Sequence, residues 1–156
     1  MRLSDNNGSS FEMDIVGYQY GPPDHGFNKP HFVYSDCNWL MVRGRVTVPE
    51  PQKSWEFLRP ILNTHELKEL REYFKWISLK PIPRLIEFVE PNLHLSYVPT
   101  PHPEIRVRLS HESASPWNQR TFPGYEELVF PVVNEDLTLI AVELHGLVER
   151  FPSRNT

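Results

Sequence analysis

Apolar and polar residues alternate from Leu40 to Val48. Leu40, Val42, Gly44, Val46 and Val48 hold the even positions, and Arg43, Arg45 and Thr47 stand among the odd ones. Alternation of this kind buries one face of a strand and wets the other. It predicts a strand over 39–48, a turn at Pro49-Glu50-Pro51-Gln52, and a return strand over 53–58 with Trp55 and Phe57 on one face. Upstream, Phe11, Met13 and Ile15 against Glu12 and Asp14 predict a strand over 11–20. Gly21-Pro22-Pro23-Asp24-His25-Gly26 ends it, and the stretch to Ser35 has the turn chemistry of a long loop.

The period then changes. Leu67, Leu70, Phe74 and Ile77, widened by Tyr73, recur at helical spacing, while Lys68, Glu69, Glu72 and Lys75 fall on the opposite side. Asn63 and Glu66 have the spacing of a capping box at the start, and Pro81 stops the helix. Further strands are predicted over 84–89 and 93–98, joined by Glu90-Pro91-Asn92, and at Ile105, Val107 and Leu109, which alternate with Arg106, Arg108 and Ser110. A polar loop over 113–124 carries Trp117, and a last strand is predicted over 125–133. Asn134-Glu135-Asp136 opens a second helix with the stripe Leu137, Ile140, Ala141, Leu144, Val148 and Phe151, ended by Pro152. The expected fold is α+β, a single domain over 1–156: a mostly antiparallel curved sheet of about seven strands with two helices packed on it. No internal repeat stands out.

Composition narrows the function classes. A chain of 156 residues that is 39% hydrophobic and 12% aromatic can bury a sizeable core. A net charge of −4 offers no excess of lysine and arginine to neutralise a phosphate backbone, so direct nucleic-acid binding is not expected. The single cysteine, Cys37, permits no intrachain disulfide, and no apolar run is long enough to span a bilayer. A cytoplasmic setting without membrane contact is expected. The 16 prolines fall mostly between elements and imply short strands joined by stiff turns.

The candidate chemistry is sparse. Cys37 lies near His31 and His25, but no metal-ligand spacing occurs, and a small residue at a strand start is the plainer reading. The other histidines are scattered. Glu87 with Glu90 and Glu126 with Glu127 alternate with apolar residues, as a solvated strand face would. There is no phosphate-binding glycine loop and no nucleophile elbow. Arg43, Arg45, Arg106 and Arg108 suit an ion-paired outer face with Glu12, Asp14, Glu56 and Glu87. The competing class is a small-ligand-binding or hydrolytic protein that uses His94, Glu87 and Arg106 on a concave sheet face.

The order of several short motifs resembles the WapI-like family of bacterial immunity proteins. They are Asp36-x-Asn38-Trp39-Leu40-x-Val42-x-Gly44-x-Val46, then Ser54-Trp55-x-Phe57 and Glu66-Leu67. Phe88-x-Glu90-Pro91-Asn92-Leu93, Ile105-Arg106-Val107, Pro116-Trp117, Gly124-Tyr125, Phe130-Pro131 and Arg150-Phe151-Pro152 follow. The helix entry Ile61-Leu62-Asn63-Thr64-His65 departs from the pattern, and the loops over 24–34 and 99–103 are longer than usual for it. The resemblance implies an antitoxin that binds the C-terminal domain of a cognate polymorphic toxin, a nuclease in the type case. It implies no catalysis and no cofactor, and a monomer or weak homodimer is expected. The contact is expected on the outer sheet face and adjoining loops, at Asp24, Asp36, Glu87, Glu90 and Trp117.

Overall fold

The computed structural model describes residues 1–21, 37–49, 52–120 and 124–154. Among these, four strands precede a helix and four more precede a second. The first set is β1 (Arg2–Ser4), β2 (Ser10–Tyr18), β3 (Trp39–Val48) and β4 (Lys53–Asn63), followed by α1 (Thr64–Leu79). The second is β5 (Arg84–Glu87), β6 (Leu93–Val98), β7 (Glu104–Ser110) and β8 (Tyr125–Pro131), followed by α2 (Asn134–Arg150). Each set forms its own antiparallel sheet in sequential order, β1-β2-β3-β4 and β5-β6-β7-β8.

The α+β class is as expected, but the strands number eight among the described residues and lie in two sheets. β1 is only three residues long, too short to show a period, yet Leu3 is buried opposite Phe11. The division into two sheets follows from α1, which sits between β4 and β5 and separates the two meanders. A topological repeat therefore exists where the sequence shows none.

β4 extends five residues beyond its expected end at Leu58. Pro60 breaks the alternation, and the register slips there: Leu40 faces Leu62, while the next residue, Met41, faces Pro60. The extra residue is Ile61, and Ile61 and Leu62 are both fully buried. A bulge can place consecutive side chains inward, and among the described residues β4 is an edge strand of its sheet, a setting that tolerates proline. The strand thus runs directly into the α1 cap.

That cap contains both halves of the expected box. Asn63 Oδ1 accepts from the His65 and Glu66 amides at 2.9 and 3.0 Å, and Glu66 Oε2 accepts from the Asn63 amide at 2.9 Å. Glu66 is nevertheless 96% buried, because its other oxygen accepts from the Val89 amide at 2.6 Å. One carboxylate ties the start of α1 to the loop after β5. α2 has only the reciprocal half: Asp136 accepts from the Val133 amide at 3.0 Å, and valine offers no side-chain acceptor.

The helices pack against each other, and a hydrophobic cluster runs through both sheets and both helices. Phe11, Met13 and Ile15 of the first sheet, Leu93, Leu95 and Phe130 of the second, and Leu67, Leu70, Phe74 and Leu144 of the helices belong to it. Tyr73 is also inside, its hydroxyl donating to the Arg84 carbonyl at 3.2 Å. Burial raises the Tyr73 phenol above its ordinary value; Arg84 opposes the shift and Tyr97 adds to it. A raised folded-state value means that stability is fully present below about pH 10 and is lost as pH rises beyond it. The expected slope is about 1.4 kcal/mol per pH unit for this group alone. Urea midpoints taken from pH 9 to 11 check this, and Tyr73→Phe should flatten the decline. Tyr97, also raised by burial, keeps part of it.

Candidate functional site

The motif residues that suggest a family are structural. Asn38 sits just before β3 and binds the segment after α2. Its Oδ1 accepts from the Arg154 amide at 2.7 Å and from the Thr64 hydroxyl at 3.4 Å, and its Nδ2 donates to the Arg154 carbonyl at 3.4 Å. The same segment is clasped from the other side. The Tyr18 hydroxyl donates to the Pro152 carbonyl at 2.5 Å, and the Arg154 guanidinium lies 3.4 Å from the Tyr18 ring centroid and donates to the Tyr20 carbonyl at 2.7 Å. Gly44 lies opposite Phe57, and a Cβ built there would stand 2.0 Å from the Phe57 ring. Asn92 is buried, and its carbonyl accepts from the Ser110 amide and the Ser113 hydroxyl.

The expected contact residues are dispersed. Asp24 and Asp36 lie outside the described residues. Glu87 is exposed on β5 and pairs with His94 at 3.3 Å. Glu90 is exposed in the following turn. Trp117 is half-exposed and stacks edge-on against Trp55 at 5.6 Å, with the Lys53 ammonium 5.2 Å from its ring. The Trp55 indole in turn donates to the Ser113 carbonyl at 3.0 Å. The loop over 111–120 is therefore docked on β4, with Ser115 and Asn118 both donating to Glu126 at 2.5 Å. Glu126 thus anchors the loop, while Glu127 binds Arg108 at 3.2 Å.

The outer sheet faces pair their own charges. Register places Arg2, Glu12, Arg45 and Glu56 in one row across the first sheet, with ion pairs Arg2–Glu12 at 3.5 Å and Arg45–Glu56 at 3.1 Å. The second sheet carries Glu87, His94, Arg108 and Glu127 in the corresponding row. Arg106 shares that face, across from Ser96, and binds Glu104 at 2.6 Å. Of the three residues of the competing enzymatic reading, Glu87 and His94 pair with each other while Arg106 pairs with Glu104. An open depression of about 370 Å³ lies on the first sheet instead, lined by Arg2, Glu12, Asp14, Arg43, Arg45 and Glu143 among others. Among the described residues, no cluster of three or more His, Cys, Asp or Glu side chains could hold a metal ion. Cys37 is buried and free of any disulfide.

α2 differs from the sheets. It carries Glu135, Asp136, Glu143 and Glu149 against Arg150 alone, a net −3 where the whole chain has −4. α1 is balanced, with Glu66, Glu69 and Glu72 against Lys68, Arg71 and Lys75. Opposite the buried stripe of α2, Glu135, Leu139, Val142, Gly146 and Glu149 follow one another at spacings of four and three, which puts them on one face. Leu139 and Val142 are 62% and 63% exposed. The stripe went unread in the sequence because the stronger Leu137–Ile140–Leu144 period masks it. The absence of lysine from the helix was its available signal.

The family model described as "Immunity protein WapI-like family" matches residues 2–152. None of the curated proteins matches the chain. The crystal structure of WHY3 from Arabidopsis thaliana is similar at 10% identity and TM-score 0.51, over 99% of this chain and 88% of that one. That of the plant transcriptional regulator PBF-2 gives 12% identity and TM-score 0.49, over 97% and 80%. At these identities the likeness to WHY3 is one of fold.

Proposed function

Because the chain belongs to the WapI-like immunity protein family, we propose that it binds and neutralises the C-terminal domain of a cognate polymorphic toxin in the cytoplasm. The family match over residues 2–152 carries this reading. The protein acts as one domain and by stoichiometric contact, not by turnover, and the toxin domain it blocks is a nuclease. The placement of the family's motif residues supports binding over catalysis: Asn38, Gly44, Trp55, Phe57, Glu66 and Asn92 are spent on clasps, caps and core packing. A scaffold with preformed surfaces loses little entropy on association.

The test is co-expression. The reading expects the gene beside this chain's own to encode a large secreted protein, and the C-terminal domain of that protein, expressed alone in a bacterial host, to stop growth and degrade RNA. Co-expression of the chain should restore growth, and the two should elute as a one-to-one complex. Persistent growth arrest with both proteins soluble and separate would remove the reading.

A further inference from the structure

We infer that the outward face of α2, centred on Leu139, Val142 and Gly146, is the docking surface for a basic protein partner; this rests on the proposed binding of a toxin domain. Three observations meet there. First, Leu139 and Val142 are large apolar side chains left mostly in water on a helix whose core face is already filled by Leu137, Ile140 and Leu144. Isolated exposed apolar residues are ordinary, but these two lie on one stripe at the spacing that packs against another protein surface. Second, Gly146 sits inside the helix with no atom within 4 Å of where its Cβ would stand. Glycine weakens a helix interior, and nothing among the described residues requires its small size at this position. Close approach by a second backbone would require it.

Third, the charge specifies the occupant. The net −3 of α2 compares with −4 for the whole chain, while on the sheets Glu12, Glu56, Glu104 and Glu127 each pair with an arginine. Glu143 is paired with the N-terminal ammonium at 3.4 Å, beside the stripe; on the stripe itself Glu135 has no ion-pair partner among the described residues and Glu149 pairs with His145 on the same helix, while Arg150 lies at the helix end over the Phe151 ring. An apolar pair between carboxylates suits a surface that presents an apolar contact ringed by lysine and arginine. A second copy of this chain would set acid against acid, so self-association through this face is disfavoured.

The experiment titrates the wild-type chain and three variants, by calorimetry, against the catalytically inactivated toxin domain that the co-expression test identifies. Leu139→Lys with Val142→Lys should weaken binding by about 100-fold or more, as expected for central anchor residues. Gly146→Leu should weaken it by about 10-fold while raising the melting temperature of the free chain, since leucine is the better helix former. A merely structural role would move stability and affinity in the same direction. Glu87→Lys with Glu90→Lys tests the rival placement of the contact on the outer sheet face, and with the contact centred on α2 it should change affinity by less than about threefold. Retention of wild-type affinity by the α2 variants, or a large loss confined to the Glu87/Glu90 variant, overturns the α2 placement and leaves the toxin-binding reading standing. Failure of the wild-type chain to bind overturns both.

Discussion

Glu66→Ala is expected to cost the fold about 1–3.5 kcal/mol. About 0.5–2 kcal/mol comes from the lost helix cap, and about 0.5–1.5 kcal/mol from the lost hydrogen bond to the Val89 amide. The carboxylate holds two amides from different parts of the chain, Asn63 at 2.9 Å and Val89 at 2.6 Å, and is itself only 4% exposed. Alanine leaves both part-buried donors without this acceptor. For a domain of this size the melting temperature should fall by about 2–14 °C. Glu66→Gln should fall between wild type and alanine, because its single carbonyl oxygen can serve one amide while its NH₂ group faces the other donor. His65→Ala, at an exposed position in the same turn, should stay within about 0.5 kcal/mol. Urea unfolding of the four proteins decides the matter. An alanine variant as stable as His65→Ala would show that water serves the two amides equally well.

Glu66 also shows where sequence reasoning runs out. Asn63-x-x-Glu66 announces a capping box from spacing alone, and both of its hydrogen bonds form. The partner 23 residues away does not belong to any local pattern; Val89 reaches Glu66 only because the second meander folds back over the start of α1. Elements with a sustained period were legible: β3 and β6 begin and end where alternation begins and ends. The Pro60 bulge in β4 and the three-residue β1 were not, since one breaks its period and the other is too short to have one. The number of sheets was hidden for a different reason. A strand's alternation states that one face is buried but not which strands share its sheet.

The site was less legible than the fold. Composition gives a net charge of −4 but does not say where the charge lies. Register answers part of this, because Arg45 falls between Glu12 and Glu56, and Arg108 beside Glu127. Glu12, Glu56 and Glu127 on the sheets are thereby paired, and exposed ion pairs of this kind contribute about 0–1 kcal/mol each. On α2, Glu143 pairs with the N-terminal ammonium and Glu149 with His145, and Glu135 has no ion-pair partner among the described residues. Glu87, selected from its outward position on a strand, has His94 directly across from it. Trp117, selected as a tryptophan in a polar loop, serves in part to lock that loop onto Trp55.

Gly44→Val is expected to cost about 3–5 kcal/mol, the scale of removing a phenylalanine from a core. The strand pairing sets Gly44 directly across from Phe57, and the ring occupies the space a side chain would need, 2.0 Å from a built Cβ. That distance is too short for an adjustment of tenths of an ångström. The ring must leave its place, and Phe57 is only 6% exposed in that place. A double-mutant cycle isolates this cause. Gly44→Ala in the wild-type background should destabilise by about 1–3 kcal/mol through overpacking. In a Phe57→Ala background the same change should be near neutral or stabilising, since glycine weakens a strand interior and the obstructing ring is gone. Affinity for the toxin domain, measured on the folded fraction, should not change in any of these variants, although protection in cells should fall with abundance. Equal costs for Gly44→Ala in both backgrounds would mean that the glycine is required by the β3 backbone itself and not by the ring across from it.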